Sequence, residues 1–408
     1  MLSYLWLGFI VAAYVAAVLA WFAGDGEVFS RVMQSAFDMA ETAAKLSLGL
    51  IGLLAFWLGL FRVAEHAGLI EKLGKLFEPL FRRLMPEVPK DHPAQGAITL
   101  NLAANALGLD NAATPLGIKA MRSLQTLNPS RDTASNAQIL FLVLNTSSVT
   151  LLPVTIFMYR AQQGAAEPAS VFVPILLATM ASTFAGLLVV GIWQRLRLWD
   201  PVVLAYFGAF SAVVGFAMLG LTQLHGSELS RVSTEFGNFA LLTIVVLFLV
   251  AGARRKIDVY SRFIEGARQG FGVAIRILPY LVAMLVAIAM LRASGVLDLV
   301  LGAVAQGASA LGLDTRFVEA LPVGLMKPFS GSGARALWIE LMQTHGVDAF
   351  PAMVGAIMQG STETTFYVLA VYLGAVGVKK TRHAIPCALV ADLTGIICAI
   401  ALAYWFFA

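Results

Sequence analysis

Residues Ala137–Tyr159 read AQILFLVLNTSSVTLLPVTIFMY, a run without one charged side chain. A helix needs about 20 predominantly apolar residues to cross the hydrocarbon core, and this run has them. Its centre is the anomaly. Asn145, Thr146, Ser147 and Ser148 stand there ahead of Pro153, at a depth where hydrocarbon offers amides and hydroxyls no partner. The stretch therefore reads as a membrane span interrupted near its middle.

Working outward, four more uncharged runs reach or approach spanning length: Leu2–Phe22, Pro168–Gln194, Pro201–Leu224 and Phe236–Ala253. Another four carry one charge each: Ala43–Phe61 with Lys45, Val273–Leu291 with Arg276, Ala349–Val378 with Glu363 and Ala384–Ala408 with Asp392. Nine spans result. The first lacks the basic flank of a secretory signal and is too long for one, so it reads as a retained helix. Composition agrees: 59% of the 408 residues are hydrophobic and 13% charged, the latter roughly half the usual share. That balance excludes a disordered chain and a soluble globular enzyme. The net charge of +4 is spread out, without a basic run suited to nucleic acid. Cys387 and Cys398 both sit in apolar sequence and make neither a disulfide framework nor a zinc site.

Lys and Arg mark cytoplasmic loops, and they cluster at Lys72–Arg83, Arg195–Arg197, Arg254–Lys256 and Lys379–Arg382. Placing these inside predicts a cytoplasmic N-terminus and an external C-terminus. Gly26–Ala44 and Arg62–Leu84 mix charges with apolar residues at helical spacing, which predicts helices along the interface. Ala94–Ala120 and Phe317–Leu341 are too polar to cross alone and too apolar for loops. They are expected to form re-entrant hairpins, since irregular backbone is tolerated at membrane depth where protein surrounds it.

The order "span, broken hairpin, span rich in Ser and Thr, span" occurs twice. One local echo sets Ala67-Gly68-Leu69-Ile70-Glu71 against Ser294-Gly295-Val296-Leu297-Asp298. Each copy contributes three full spans and two spans lie between, so the second copy enters the membrane upside down. The expected fold is an all-α polytopic membrane protein with two inverted repeats and two re-entrant hairpins. Its parts are an extra N-terminal helix (1–25), a first repeat (26–195), two linking helices (196–255) and a second repeat (256–408). Interrupted helices at matching positions of inverted repeats point to a secondary-transporter architecture with its site near the midplane.

Polar residues concentrate at matching places: Asn101–Pro115 (NLAANALGLDNAATP) and Asn145–Pro153 (NTSSVTLLP) in the first copy, Lys327–Arg335 (KPFSGSGAR) and Gln359–Thr365 (QGSTETT) in the second. Such groups in hydrocarbon are costly unless paired, and Gly, Pro and Asn together free backbone groups for a ligand. The candidate solute-binding residues are Asn101, Asn105, Asp110, Asn111, Thr114, Asn145, Thr146, Ser147, Lys327, Ser330, Gly331, Ser332, Ser361, Thr362, Thr364 and Thr365. Glu363 is the candidate ion-coupling carboxylate, for a proton or sodium ion, with an ion pair to Lys327 or Arg335 as its structural alternative. Asp110 and Asn111 could equally cap a half-helix, and each hydroxyl could simply bond back to its own helix. Asp392 is expected to pair with Arg382 or His383.

Asn101–Met121, Asn145–Ile156 and the phrase Leu127–Ser135 resemble the spore maturation protein A family. Leu325–Ala334 and the run Met358–Ile396 (MQGSTETTFYVLAVYLGAVGVKKTRHAIPCALVADLTGI) resemble the spore maturation protein B family. The chain looks like a fusion of the two, leaving out the first span. Both are grouped with the nucleoside-recognition, or Gate, domain proteins, which resemble parts of concentrative nucleoside transporters and ferrous-iron transporter B. The resemblance implies a bacterial inner membrane and transport of a small solute, without identifying it.

No residues assemble a catalytic centre. His66, His92, His225, His345 and His383 lack metal-ligand spacing, and the phosphate-loop spacing is absent around Ser330–Gly333. No enzyme activity, cofactor or metal is expected. The leading expectation is a proton- or sodium-coupled transporter of a small polar or anionic solute. The alternative is a scaffold or receptor for cell-envelope maturation. Expected partners are the solute and the lipid bilayer, with dimerisation around Pro201–Leu224 left open.

Overall fold

The computed structural model describes residues 2–107, 110–147, 150–221, 224 and 227–408, with the side chains at 2, 3, 5, 110–112, 210, 213, 214, 216–218 and 227 outside that description. Every named element among the described residues is helical. Five helices are long and apolar enough to cross a membrane.

The chain opens with α1 (Leu2–Phe22), α2 (Val28–His66) and α3 (Leu69–Leu84), followed by a helix pair, α4 (Pro93–Ala106) and α5 (Asp110–Thr126). The interrupted stretch folds as two helices, α6 (Asn136–Thr146) and α7 (Val154–Gln162), and α8 (Phe172–Gln194) completes the first half. After α9 (Pro201–Leu221) and α10 (Ser227–Arg254) the same order returns: α11 (Val259–Ala293), α12 (Val296–Ala310), a pair α13 (Leu321–Met326) and α14 (Gly331–His345), a second broken span α15 (Phe350–Ser361) and α16 (Thr365–Gly374), and α17 (Ala384–Phe407).

The Gly68/Gly295 echo has a backbone cause. Both glycines precede a helix in the left-handed conformation, at φ 68° and 81°, a region that favours glycine. Each turns a long helix into a short one, with Glu71 or Asp298 in the new first turn, where the helix dipole favours an acid.

Gly26–Ala44 departs from expectation. Instead of a separate interfacial helix, 28–44 is the first part of continuous α2. Its charges find local partners, Arg31 with Asp25 at 2.7 Å and Lys45 with Glu41 at 2.6 Å, while Val28 and Val32 pack beside Ala17, Met290 and Ala293. Arg62–Leu84 divides likewise: Arg62–His66 closes α2, and Leu69–Leu84 is α3.

Two helix pairs form the frame. The α2 and α11 helices run antiparallel along most of their lengths: Arg31 Nε donates to Ala293 O at 3.2 Å near one end, Ser47 Oγ to Ala274 O at 2.6 Å nearer the middle, and Arg62 pairs with Glu265 toward the other. Glycine permits the approach, since a Cβ at Gly266 would strike Leu58 O and one at Gly270 the Ala55 backbone. The α8 and α17 helices are antiparallel too, with Ser182 Oγ donating to Ala391 O at 2.9 Å and Gln194 meeting His383 at 3.0 Å. The core lies around the breaks, one cluster centred on Tyr159, Trp338 and Ile357, another on Phe141, Met121 and Ala388.

Candidate functional site

Each broken span is bound to the neighbouring helix pair by one backbone hydrogen bond just beyond its break. Leu151 N donates to Ala106 O at 3.0 Å in the first half, and Phe366 N to Pro328 O at 2.9 Å in the second. The breaks also meet each other, for Glu363 N donates to Thr146 O at 2.8 Å. Carbonyls in the last turn of a helix have no partner inside it, which is why Thr146, near the end of α6, can accept from the opposite half.

Around these breaks lies a cavity of about 490 Å³. All four polar motifs reach its wall: Asn105 from the first, Thr150 from the second, Lys327, Ser330, Gly331, Ser332 and Arg335 from the third, and Gln359, Thr362, Glu363 and Thr364 from the fourth. Ser330 begins α14, its hydroxyl accepting from Gly333 N at 3.0 Å and lying 3.2 Å from Ser332 Oγ. Lys327, 6% exposed, donates from Nζ to Gln359 O at 2.8 Å, and Gln359 Nε2 reaches Gly331 O at 3.3 Å. The Arg335 guanidinium sits 5.2 Å over the Tyr159 ring. Glu363 is half-buried and forms no ion pair among the described residues, so the alternative of a pair with Lys327 or Arg335 does not describe it. Among the described residues the charged side chains on the wall are Lys327, Arg335 and Glu363.

A second cavity of about 290 Å³ shares Thr155, Ile277 and Arg335 with the first and extends to Arg62 and Glu65. Arg62 pairs there with Glu65 at 2.8 Å and with Glu265.

The remaining candidates lie behind the wall. Asn145 Oδ1 accepts from Asn105 Nδ2 at 2.8 Å, holding that wall residue in place. The hydroxyls of Thr146 and Ser147 both bond back to Val143 O, at 3.0 and 2.8 Å, and Ser361 to Met358 O at 2.9 Å. Asn101 is buried between helices, donating to Ala113 O at 2.7 Å and to the Tyr372 hydroxyl at 3.4 Å. Thr114 is half-buried on α5 and off the cavity wall. Ser148 and the side chains of Asp110 and Asn111 lie outside the described residues.

Asp392 corrects an expectation. Its partner is neither Arg382, which donates to Ala134 O at 3.0 Å, nor His383, which stacks on Trp193. Asp392 Oδ2 accepts from Thr365 Oγ1 at 2.7 Å, while the buried Oδ1 has no hydrogen-bond partner among the described residues. Sequence reading also missed Thr155, Tyr280 and Tyr367 on the wall. They stand on helices, outside the four polar motifs. Only an apolar helix face broken by an isolated hydroxyl could have marked them.

Comparison with known proteins follows the same division. A family model described as nucleoside recognition (Gate) matches residues 47–162 and 274–379, one block in each half. The chain is 38% identical over 189 residues to spore maturation protein A of Bacillus subtilis (strain 168), a match covering 46% of this chain and 93% of that protein. It is 40% identical over 164 residues to spore maturation protein B of the same organism, covering 40% of this chain and 90% of that protein. No solved structure matches. With more than half of its residues matched by one family model and both relatives covered almost end to end, this multi-pass membrane protein belongs to the Gate, or nucleoside-recognition, family.

Proposed function

We propose that the protein is a secondary transporter of a small polar or anionic solute, held in the cavity where the two halves meet. The observation that carries this reading is the convergence of all four interrupted motifs on one cavity wall that also bears Lys327, Arg335 and Glu363. Interrupted helices supply free backbone dipoles and hydroxyls without exposing them to lipid. A wall of amides, hydroxyls and charged groups favours a strongly polar or anionic solute. The family's description makes nucleosides the first class to try, with carboxylates second. Glu363 is the coupling group, taking up a proton or sodium ion with the nearby hydroxyls.

Two inverted repeats underlie the proposed mechanism. The antiparallel pairing of α2 with α11 and of α8 with α17 is what such a duplication requires, and one family model matches each half. We count nine crossings, with the α4/α5 and α13/α14 pairs re-entering. The basic residues support a cytoplasmic N-terminus and an external C-terminus in a bacterial inner membrane, because they gather at one end: Arg255 lies against Gly68, Arg83 pairs with Asp200 and Arg382 reaches Ala134. The domain limits 26–195 and 256–408 follow from the same reading.

Purified protein in liposomes tests it. Radiolabelled nucleosides, nucleobases, dicarboxylates and amino acids are offered with and without a proton or sodium gradient. One class is expected to accumulate with wild type, and Glu363→Gln is expected to abolish gradient-driven uptake while eluting as intact protein. Uptake of no class, or Glu363→Gln uptake with unchanged gradient dependence, overturns the reading. The relatives' names favour a second one, a scaffold for envelope maturation. That role would tolerate Lys327→Met and Glu363→Gln and depend on the loops instead.

A further inference from the structure

Away from the central cavity, a crevice of about 270 Å³ opens between α3, α4, α8 and α9. Phe77, Leu84, Leu102, Leu187 and Phe207 are typical of its lining. Among the described residues Thr183 and Tyr206 bring the only side-chain hydroxyls, and both are engaged: Thr183 donates to Ser147 O and Tyr206 to Leu76 O, each at 2.5 Å. The crevice offers a polar ligand nothing. Its wall is nevertheless ordered, with Phe207 set edge-on to Phe184 at 5.6 Å, and Phe184 remains 42% exposed at the opening.

At Leu84 the crevice adjoins a second pocket of about 450 Å³ with the opposite character. Arg82, Arg83, Arg195 and Arg197 line it, against Glu87 and Asp200. Those acids are partly occupied, Asp200 by Arg83 at 3.6 Å and Glu87 by the Asn136 amide at 3.2 Å. Arg82, Arg195 and Arg197 are exposed and have no ion pair among the described residues. Trp193 at the end of α8 and Trp199 in the turn that follows are 59% and 86% exposed. Exposed tryptophans settle at the level of lipid headgroups, and α3 carries the Phe77–Leu84 apolar face beside Arg82 and Arg83, as a helix at the interface does.

We infer that crevice and pocket together bind one anionic phospholipid, its acyl chain between α3 and α8 and its phosphate on the arginines. Charge complementarity fixes the class. A zwitterionic lipid gains as much from the crevice but less from a pocket with a surplus of two positive charges, and basic pockets between membrane helices are suited to anionic headgroups. Guanidinium groups fit the phosphate in fork geometry. The inference does not depend on transport.

The test uses the full chain, delipidated in detergent and examined by native mass spectrometry and thermal unfolding. Three probes are added: phosphatidylglycerol, phosphatidylcholine with the same acyl chains, and sn-glycerol 3-phosphate as the headgroup alone. Phosphatidylglycerol is expected to persist as a single adduct and to raise Tm, at least tenfold more tightly than phosphatidylcholine. The triple variant Arg82→Gln/Arg195→Gln/Arg197→Gln is expected to lose that preference, and Leu102→Trp, which fills the crevice, to weaken binding with the arginines intact. Arg316→Gln, remote from the pocket, is expected to bind as wild type. Equal retention of the two lipids, an undiminished preference in the triple variant, or binding of sn-glycerol 3-phosphate as tight as phosphatidylglycerol overturns it. Should the triple variant fail to fold, unchanged binding by Leu102→Trp overturns it alone.

Discussion

Lys327 follows α13 at the turn into Pro328, where its ammonium is drawn to a carbonyl that a helix has released. α15 stops at Ser361, so Gln359 O lacks the usual partner four residues on, and Lys327 Nζ supplies one at 2.8 Å. Sequence alone exposes such a motif because polar groups inside an apolar run are costly. It does not say which of them point into the space the break creates. In an unwound segment the 3.6-residue period no longer assigns faces, so Thr146 and Ser147 were indistinguishable from Thr362 and Thr364. Only the last two line the cavity. Asp392 illustrates the same limit, because its partner Thr365 lies 27 residues away in sequence. Its one hydrogen bond makes a sharp prediction. Asp392→Asn keeps an acceptor of the same shape for Thr365 and is expected to stay within about 1 kcal/mol of wild-type stability. Asp392→Ala leaves the buried Thr365 hydroxyl without its acceptor and is expected to cost about 1–3 kcal/mol. Thermal unfolding in detergent distinguishes them, and equal losses would refute a hydrogen-bonding role.

The interrupted elements were legible from Pro153 and the Ser-Gly turn at 330–333, which set the starts of α7 and α14 for reasons local to the chain. The long ones were not. α2 has 39 residues and α11 has 35, about 58 Å and 52 Å at 1.5 Å per residue, against a hydrocarbon core of about 30 Å. Charges at Arg31, Asp38, Glu41 and Lys45 make half of α2 look like a separate surface helix. What keeps the helix continuous is its tertiary partner, α11, along which it lies. Each apolar half faces the more polar half of the other, so the pair must tilt steeply in the bilayer or project beyond it. Contact at this closeness depends on Gly266 and Gly270, one helical turn apart. Gly270→Leu is expected to force α2 and α11 apart and to destabilise by about 1–3 kcal/mol or more. Gly272→Leu, at a position where an added Cβ meets nothing within 4 Å, is expected to have little effect. Comparable losses of Tm for the two would mean that helix propensity rather than packing governs the pair.

At the scale of the whole molecule, two equivalent loop ties join the halves, beside the bonds between their helices. The loop leading into α6 is held by the segment after α16: Lys379 N and Lys380 N both donate to Asp132 O at 2.8 Å, Ala134 N to Lys380 O at 3.0 Å, and Lys380 pairs with Asp132 at 3.2 Å. The loop leading into α15 is held by the end of α7, where Arg160 pairs with Asp348 at 2.8 Å and donates to Val347 O at 3.3 Å. The connectivity is reciprocal, yet the physics differs. Lys380 is 70% exposed and Asp132 50%, whereas the Arg160 side chain is fully buried and also meets Pro168 O and Ser170 Oγ. The Thr133 hydroxyl and then Lys380 hold Asp132 below its ordinary value of 3.8. Its contribution is complete above that value and is lost as pH falls through the lowered one. On the proposed transport reading, a change of access that loosens these ties is expected to open the exposed, backbone-dominated one first. Asp132→Asn keeps the three backbone hydrogen bonds and removes only a screened charge, so Tm at neutral pH is expected to stay within error of wild type. Asp348→Asn takes the carboxylate from a buried guanidinium and is expected to cost about 1.5 kcal/mol, the low end for a charged hydrogen bond because Asp348 is half exposed. Thermal unfolding of both variants at pH 7 decides the matter. An Asp132→Asn loss matching that of Asp348→Asn would show that the two ties are equally strong, and the predicted order of opening would fall with it.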